Sequence, residues 1–402
     1  MVQTTRGRPI PAATLPSWLS LAALLAAACG PRTDSASPAP VARLEFTSLG
    51  GLIYLPVTLP DSSRDQWLLD SGFEYSVVGA RTADRLRLPL RERKVVAAPG
   101  GAVDLGWTNR FCVTIAGLSH CADSLARIPI EGLEPIIAKP IGGILGHDFF
   151  GKFVVRIDYA ASRIELFDPA TFAYHGPGVS VAVWLEAGEP FLAGTLYLNG
   201  RATPAKLKID TGSLDLLGLN GSFVAQTKLI PEAHRRIPAP GVAVGGKTEN
   251  FLTTLDSFAI AGFTIARPVI GFSADLTRAG DAGTIGANAL SRFTVMFDYL
   301  HRRLILEPNG SQPTYDASGL FLVGEGPDFR TTRVLAVMSS TGGAEAGLAP
   351  GDTVMAIDGI NAASIGLWRI RSLFERPDTT YTLTVRRAGR GQVVTLHTRP
   401  IL

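Results

Sequence analysis

Two aspartates in this chain sit where acid–base chemistry could be done. Asp210 lies in Leu207-Lys208-Ile209-Asp210-Thr211-Gly212-Ser213, and Asp70 in Trp67-Leu68-Leu69-Asp70-Ser71-Gly72. Each stretch reads as a short, mostly apolar strand ending in a carboxylate, a hydroxyl residue and a glycine. The glycine allows a tight turn that a residue with a Cβ would resist. A carboxylate is thus delivered at the end of a buried strand, with its backbone held by the turn. Two carboxylates brought face to face cannot both ionise cheaply, so they share a proton and titrate as a unit. The ionised member can take a proton from water while the protonated member donates to a carbonyl oxygen.

The two stretches are copies. Asp70 and Asp210 stand 140 positions apart, and so do Gly146 and Gly286, and Asp158 and Asp298. Those last pairs lie in Gly143-Ile144-Leu145-Gly146 and Gly283-Thr284-Ile285-Gly286, and in Val155-Arg156-Ile157-Asp158-Tyr159 and Val295-Met296-Phe297-Asp298-Tyr299. Three landmarks on one offset mark an internal duplication, and so long a period means two domain-sized lobes.

These motifs resemble those of aspartic peptidases of the pepsin and retropepsin type. Asp70-Ser71-Gly72 and Asp210-Thr211-Gly212-Ser213 match the D-[TS]-G signature. Ile144-Leu145-Gly146 and Thr284-Ile285-Gly286 match the second landmark, two mostly apolar residues and a glycine that cross behind each catalytic loop. Each landmark glycine lies 76 positions after its aspartate, and the resemblance covers residues 44–310. It implies two β-barrel lobes, catalytic Asp70 and Asp210, and an active site formed within a monomer. It further implies loop support from Ser71, Gly72, Thr211, Gly212 and Ser213. Phe73 stands where the family carries a small residue and cannot donate a hydrogen bond to the carboxylate. Substrates would be peptides or proteins, with no cofactor and no metal.

The elements that must position these residues follow. Length, 402 residues, calls for two or three domains. Hydrophobic residues make up 46% and charged residues 18%, which suits a packed core. With 43 Gly and 27 Pro, many short strands joined by turns are expected, hence a mainly β protein. A net charge of +3 with no clustered basic stretch argues against nucleic-acid binding. Lobe 1 is expected over 44–175 and lobe 2 over 178–310. Gly100 and Gly101, in a Gly-rich turn, and Gly245 and Gly246, in a second one, are candidate flaps over the cleft. A plain hairpin turn is the alternative for each. Asn199-Gly200 is a strong hairpin signal. Cys112 and Cys121 flank Ile115-Ala116-Gly117-Leu118 and are expected to form a disulfide. The six histidines form neither an HExxH motif nor a paired Cys/His spacing.

Residues 316–400 form a different module. Gly319-Leu320-Phe321-Leu322 is similar to the carboxylate-binding loop of a PDZ domain. Glu345-Ala346-Gly347-Leu348-Ala349-Pro350-Gly351-Asp352-Thr353-Val354-Met355-Ala356-Ile357-Asp358-Gly359 matches the A-G-L-x-x-G-D run of bacterial PDZ domains. The resemblance implies a small α+β domain with a helix at residues 368–374. Such a domain would either take a C-terminal peptide ligand as an added strand or pack against the lobes.

At the amino terminus Arg6 and Arg8 precede an apolar run over residues 18–28, too short to span a bilayer. This reads as a secretory signal over residues 1–28. Leu25-Ala26-Ala27-Ala28-Cys29 resembles a bacterial lipoprotein box in which Cys29 is lipidated, and cleavage without a lipid is the alternative. Residues 29–43 then form a tether. The expected location is the cell envelope or periplasm of a bacterium, with membrane attachment through the lipid. Overall the sequence reads as an aspartic endopeptidase with a PDZ domain. The competing reading is a non-catalytic peptide-binding or scaffolding protein on a degenerate peptidase fold.

Overall fold

A computed structural model describes residues 38–273 and 280–402. The expected signal segment, Cys29 and most of the tether lie outside the described residues. Among the described residues no helix is long and apolar enough to cross a membrane.

The described residues are mainly β and build four sheets. The 140-residue repeat is visible in their pairing. In the first ten-stranded sheet, Gly143–Leu145 runs parallel to Arg64–Leu69, with Gly143 opposite Trp67, Ile144 opposite Leu68 and Leu145 opposite Leu69. In the second, Gly283–Ile285 runs parallel to Arg201–Ile209 with the partners Leu207, Lys208 and Ile209. Every partner in one sheet is the other's shifted by 140. The ends of these strands next to the aspartates carry buried apolar residues. Trp67, Leu69, Leu207 and Ile209 have no exposed surface.

A six-stranded sheet joins the two halves. Its middle pair is Val154–Asp158 antiparallel to Phe293–Asp298, one strand from each repeat. Each of these strands continues as a hairpin into its own neighbour, Arg163–Phe167 and Arg303–Pro308. Where the repeats meet, Phe150 stacks on Tyr299 and meets Phe297 edge-on. The repeated carboxylates end strands here. Asp158 accepts the backbone N–H of Ala161 at 3.0 Å, while Asp298 is fully buried and paired to Arg303 at 2.7 Å. Both close turns between strands, as Asp commonly does.

Turn chemistry follows the sequence. Asn199 and Gly200 both take positive φ, 52° and 73°, between Glu189–Leu198 and Arg201–Ile209. That is the backbone a two-residue hairpin needs. Cys112 and Cys121 face each other across the hairpin of Phe111–Ile115 and Leu118–Ala122 and form a disulfide.

The fourth sheet belongs to the C-terminal module, in the order Leu320–Glu325, Thr331–Val337, Thr353–Ile357, Thr380–Arg387, Arg390–His397, with Leu367–Phe374 as its main helix. It has a core of its own around Val334, Ile370, Leu383 and Leu396. Buried Asp352 pairs with Arg387 at 2.6 Å and accepts the N–H of Ala349 at 2.9 Å, which closes the turn before Thr353–Ile357. The module packs against the first half. The Trp368 indole N–H donates to the Ile137 carbonyl at 2.6 Å, and the Trp368 ring fills the space a side chain at Gly50 would need.

Candidate acid–base site

The parallel pairing described above fixes where each aspartate leaves its strand. The Asp70 N–H donates to Leu145 O at 2.9 Å and the Asp210 N–H to Ile285 O at 3.0 Å. The next residues lock the halves together reciprocally. The Ser71 N–H donates to Thr211 Oγ1 at 3.0 Å, and the Thr211 N–H to Ser71 Oγ at 3.1 Å. The Ser71 hydroxyl in turn donates to Ile209 O at 2.9 Å, and the Thr211 hydroxyl to Leu69 O at 2.8 Å. Both hydroxyl residues are fully buried. Each of these two hydroxyls therefore accepts and donates once, and neither is left unmatched.

Gly72 and Gly212 complete the turns. Their N–H groups donate to the Oδ1 of Asp70 and Asp210 at 2.8 and 2.9 Å. A Cβ on Gly72 would overlap the Asp210 carboxyl group, and one on Gly212 the Asp70 carboxyl group. Only glycine lets each carboxyl lie against the opposite turn. The two carboxyls consequently lie against each other's turns, and each acts on the other's ionisation.

The pair is not electrically symmetric. Burial, with the charge of Asp210 behind it, pushes the Asp70 carboxyl well above the ordinary range. Burial works the same way on Asp210. There the Lys208 ammonium, 3.1 Å from Asp210 Oδ2, and the surrounding hydrogen bonds outweigh it, and Asp210 ends lowered. Lys208 is held raised despite its burial by Asp210, Glu189 and Asp70. Tyr299 lies fully within the field of this cluster. Burial and the charges of Asp70, Asp210 and Glu189 raise it, and its hydroxyl has no hydrogen-bond partner among the described residues.

The two Gly-rich turns come together. They are the tips of matching hairpins, Leu90–Ala98 with Gly101–Thr108 and Ile237–Ala243 with Gly246–Thr254. The Gly245 N–H donates to Pro99 O at 3.0 Å, and a Cβ at Gly100 would overlap Gly246 O. Gly100, Gly101 and Gly246 all take positive φ. Ala98 and Val244 at the tips share an apolar cluster with Phe73, Leu214 and Trp368. Phe73 and Leu214 lie three and four residues past the two aspartates, so the tips and the aspartate loops pack on one apolar cluster. Ser213 Oγ accepts the Asp215 N–H at 3.3 Å. A cavity of about 1010 Å³ lies between both halves and the C-terminal module, lined in part by Gly51, Leu214, Asp215, Phe321 and Trp368, and neither Asp70 nor Asp210 lines it.

The loop expected to hold a carboxylate, Gly319-Leu320-Phe321-Leu322, has its first donors engaged from within. Asp316 accepts the N–H groups of Ser318 at 3.1 Å and Gly319 at 2.7 Å, and Ser318 Oγ accepts that of Leu320 at 3.1 Å. Phe321 and Leu322 continue into Leu320–Glu325, the edge strand, where Arg371 donates to Leu322 O at 2.7 Å. The short helix Glu134–Ile137 from the first half lies against this strand.

Sequence reasoning did not single out Lys208, Glu189, Tyr299 or Trp368. For Lys208 a signal existed. Its counterpart 140 positions earlier is Leu68, so a charge interrupts the apolar lead-in in one of the two copies. Among the described residues, no group of three or more His, Cys, Asp or Glu is placed to hold a metal ion. No protein-family model matches the chain, and no curated protein sequence is similar to it.

Proposed function

We propose that the protein is an aspartic-type endopeptidase, built of two retropepsin-like lobes and a C-terminal PDZ-like domain. The observation that carries this reading is the reciprocal packing of Gly72 against the Asp210 carboxyl and of Gly212 against the Asp70 carboxyl. Two acids so close hold one proton between them, which provides a base and an acid in one place. A water bound between them loses a proton to the ionised carboxylate as its oxygen attacks the scissile carbonyl carbon. The protonated carboxyl gives its proton to the carbonyl oxygen, and a neutral tetrahedral diol forms. In the second step the first acid delivers its proton to the amide nitrogen and the second takes one back from a diol hydroxyl. The C–N bond breaks to leave a carboxylic acid and an amine, and the dyad returns to its starting state. The meeting hairpins supply a cover that excludes bulk water from the crevice. For a peptide to enter, their tips must part.

The C-terminal module, with its loop donors turned to Asp316 and its edge strand against Glu134–Ile137, serves in this reading as a wall of the cleft and not as a collector of peptide termini. Export and attachment through Cys29 follow from the sequence motif and are tested by incorporation of labelled fatty acid, which Cys29→Ser must abolish.

The deciding experiment is cleavage of a peptide library by the wild type, Asp70→Asn and Asp210→Asn. Cleavage by the wild type that is blocked by a statine-type inhibitor and falls at least about 100-fold in each variant is the expected result. Wild-type turnover in either variant overturns it. Peptide binding without cleavage supports the scaffold reading instead.

A further inference from the structure

The repeat places different side chains beside the two acids. Along Arg201–Ile209, Leu207 and Ile209 point into the second lobe's core and Lys208 to the opposite face, as strand alternation requires. Its ammonium lies 3.1 Å from Asp210 Oδ2, 3.3 Å from Glu189 Oε1 and 3.4 Å from the Gly72 carbonyl oxygen of the other lobe. Only 15% of the Lys208 side chain is exposed, and Glu189 is buried. At the equivalent place beside Asp70 stands Leu68, buried in the apolar cluster that holds Phe73. Among the described residues Asp70 has no ion pair within 4.0 Å, whereas Asp210 has one.

We infer that Lys208 is a positioning residue that gives the dyad a direction: its cation keeps the negative charge on Asp210, so Asp210 takes the proton from water and Asp70 delivers the proton to the scissile carbonyl. The inference rests on the peptidase reading for its chemical meaning, but the charge asymmetry stands by itself. The physical reason is distance. A cation in contact with one acid of a buried pair favours ionisation there more than at the other, and low local polarity enlarges the difference. The charged and titratable groups facing Lys208 are Asp210 and Glu189 from its own lobe, Asp70 from the other, and the Tyr299 hydroxyl from the joining sheet. Asp215, on the same loop as Asp210, is raised by burial and by the charge of Asp210. Glu189 tempers the cation, so the two make opposite contributions. The contact with Gly72 O also ties the second lobe's charge to the first lobe's turn, which a neutral side chain would not do.

The test is the pH profile of kcat/KM for the wild type, Lys208→Met, Lys208→Arg and Glu189→Gln. A carbon-13 NMR titration of the aspartate carboxyls is made on the same four proteins. Lys208→Met is expected to move the acid limb up by about 1–2 pH units, with a smaller rise of the alkaline limb. Lys208→Arg keeps the charge and holds the limbs near their original positions. Glu189→Gln leaves the cation unopposed and moves both limbs down. A residue that merely held the lobes together would not give shifts of opposite sign. A folded Lys208→Met with unmoved limbs and an unmoved Asp210 titration overturns the inference. If that variant does not fold, Glu189→Gln decides, and an upward shift or none is the refuting result. If the wild type cleaves no peptide, yet Asp210 titrates below Asp70 and rises on loss of Lys208, the peptidase reading fails and the direction of the dyad stands.

Discussion

Replacing Gly72 with alanine places a methyl group where the opposite carboxyl now lies. The added Cβ would stand 2.5 Å from Asp210 Oδ2 and 2.8 Å from Oδ1, closer still to Cγ. Ordinary contact needs about 3.5 Å, so the carboxyl must retreat by about 1 Å or the turn must shift by as much. Neither partner is free to move. Asp210 is held by the Gly212 N–H and by Lys208, and the Gly72 turn by the Ser71–Thr211 exchange. Overpacking of this kind costs about 1–3 kcal/mol of stability. The larger effect falls on the chemistry, because a 1 Å misplacement of reacting groups costs about 100-fold in rate. The expected result is a folded protein, melting a few degrees lower, whose kcat/KM has dropped by about two orders of magnitude. Its carboxyls should also titrate more independently, because the proton they share is lost. Thermal melts and peptide kinetics measured side by side check this. A folded Gly72→Ala with activity within threefold of the wild type would falsify the argument that carboxyl contact across the glycines makes the site.

The pH dependence follows from the two displaced acids. Asp210 is lowered, so its base form persists into acid and is lost only as pH falls through its depressed value. Asp70 is raised, so its proton is kept into milder conditions and lost as pH rises through the raised value. A bell whose two limbs are wider apart than two ordinary aspartates would give is expected in kcat/KM, and limbs falling together near pH 4 would contradict it. Trp368→Ala removes an indole hydrogen bond to Ile137 and the ring against Gly50 and Leu214. It should cost about 2–4 kcal/mol and expose the junction at the C-terminal module to limited proteolysis, and an unchanged digestion pattern would count against that packing. Loss of the Cys112–Cys121 bridge, which closes a separation of 9 residues, should lower stability by about 2–3 kcal/mol in a denaturant titration of the Cys112→Ser/Cys121→Ser protein. An unaltered midpoint would show that the hairpin holds without it.

Much of this architecture was legible because it is written in short-range signals. Apolar runs ending in Asp, a hydroxyl residue and Gly announce a strand and a tight turn within a handful of positions. Asn199-Gly200 announces a hairpin in two. The constant offset of 140 announces two lobes with no knowledge of their contacts. Cys112 and Cys121 pair because the turn between them leaves them opposite each other, again a local fact.

Other features depend on residues far apart in the chain, and no local pattern contains them. Ser71 and Thr211 exchange hydrogen bonds only because the joining sheet brings the two loops face to face. Gly245 meets Pro99 for the same reason. The strand that follows the Gly319 loop, Leu320–Glu325, meets the short helix Glu134–Ile137 of the first half, a contact only the folded chain provides. Lys208 combines both. By itself the sequence determined that a lysine replaces a leucine in one of two matching strands, two residues before Asp210 and so on its side of the strand. Tertiary structure decided that Gly72 of the other half meets its ammonium and how far it stands from Asp70. Electrostatic influence falls off with distance, and distance between residues remote in sequence exists only once the chain is folded.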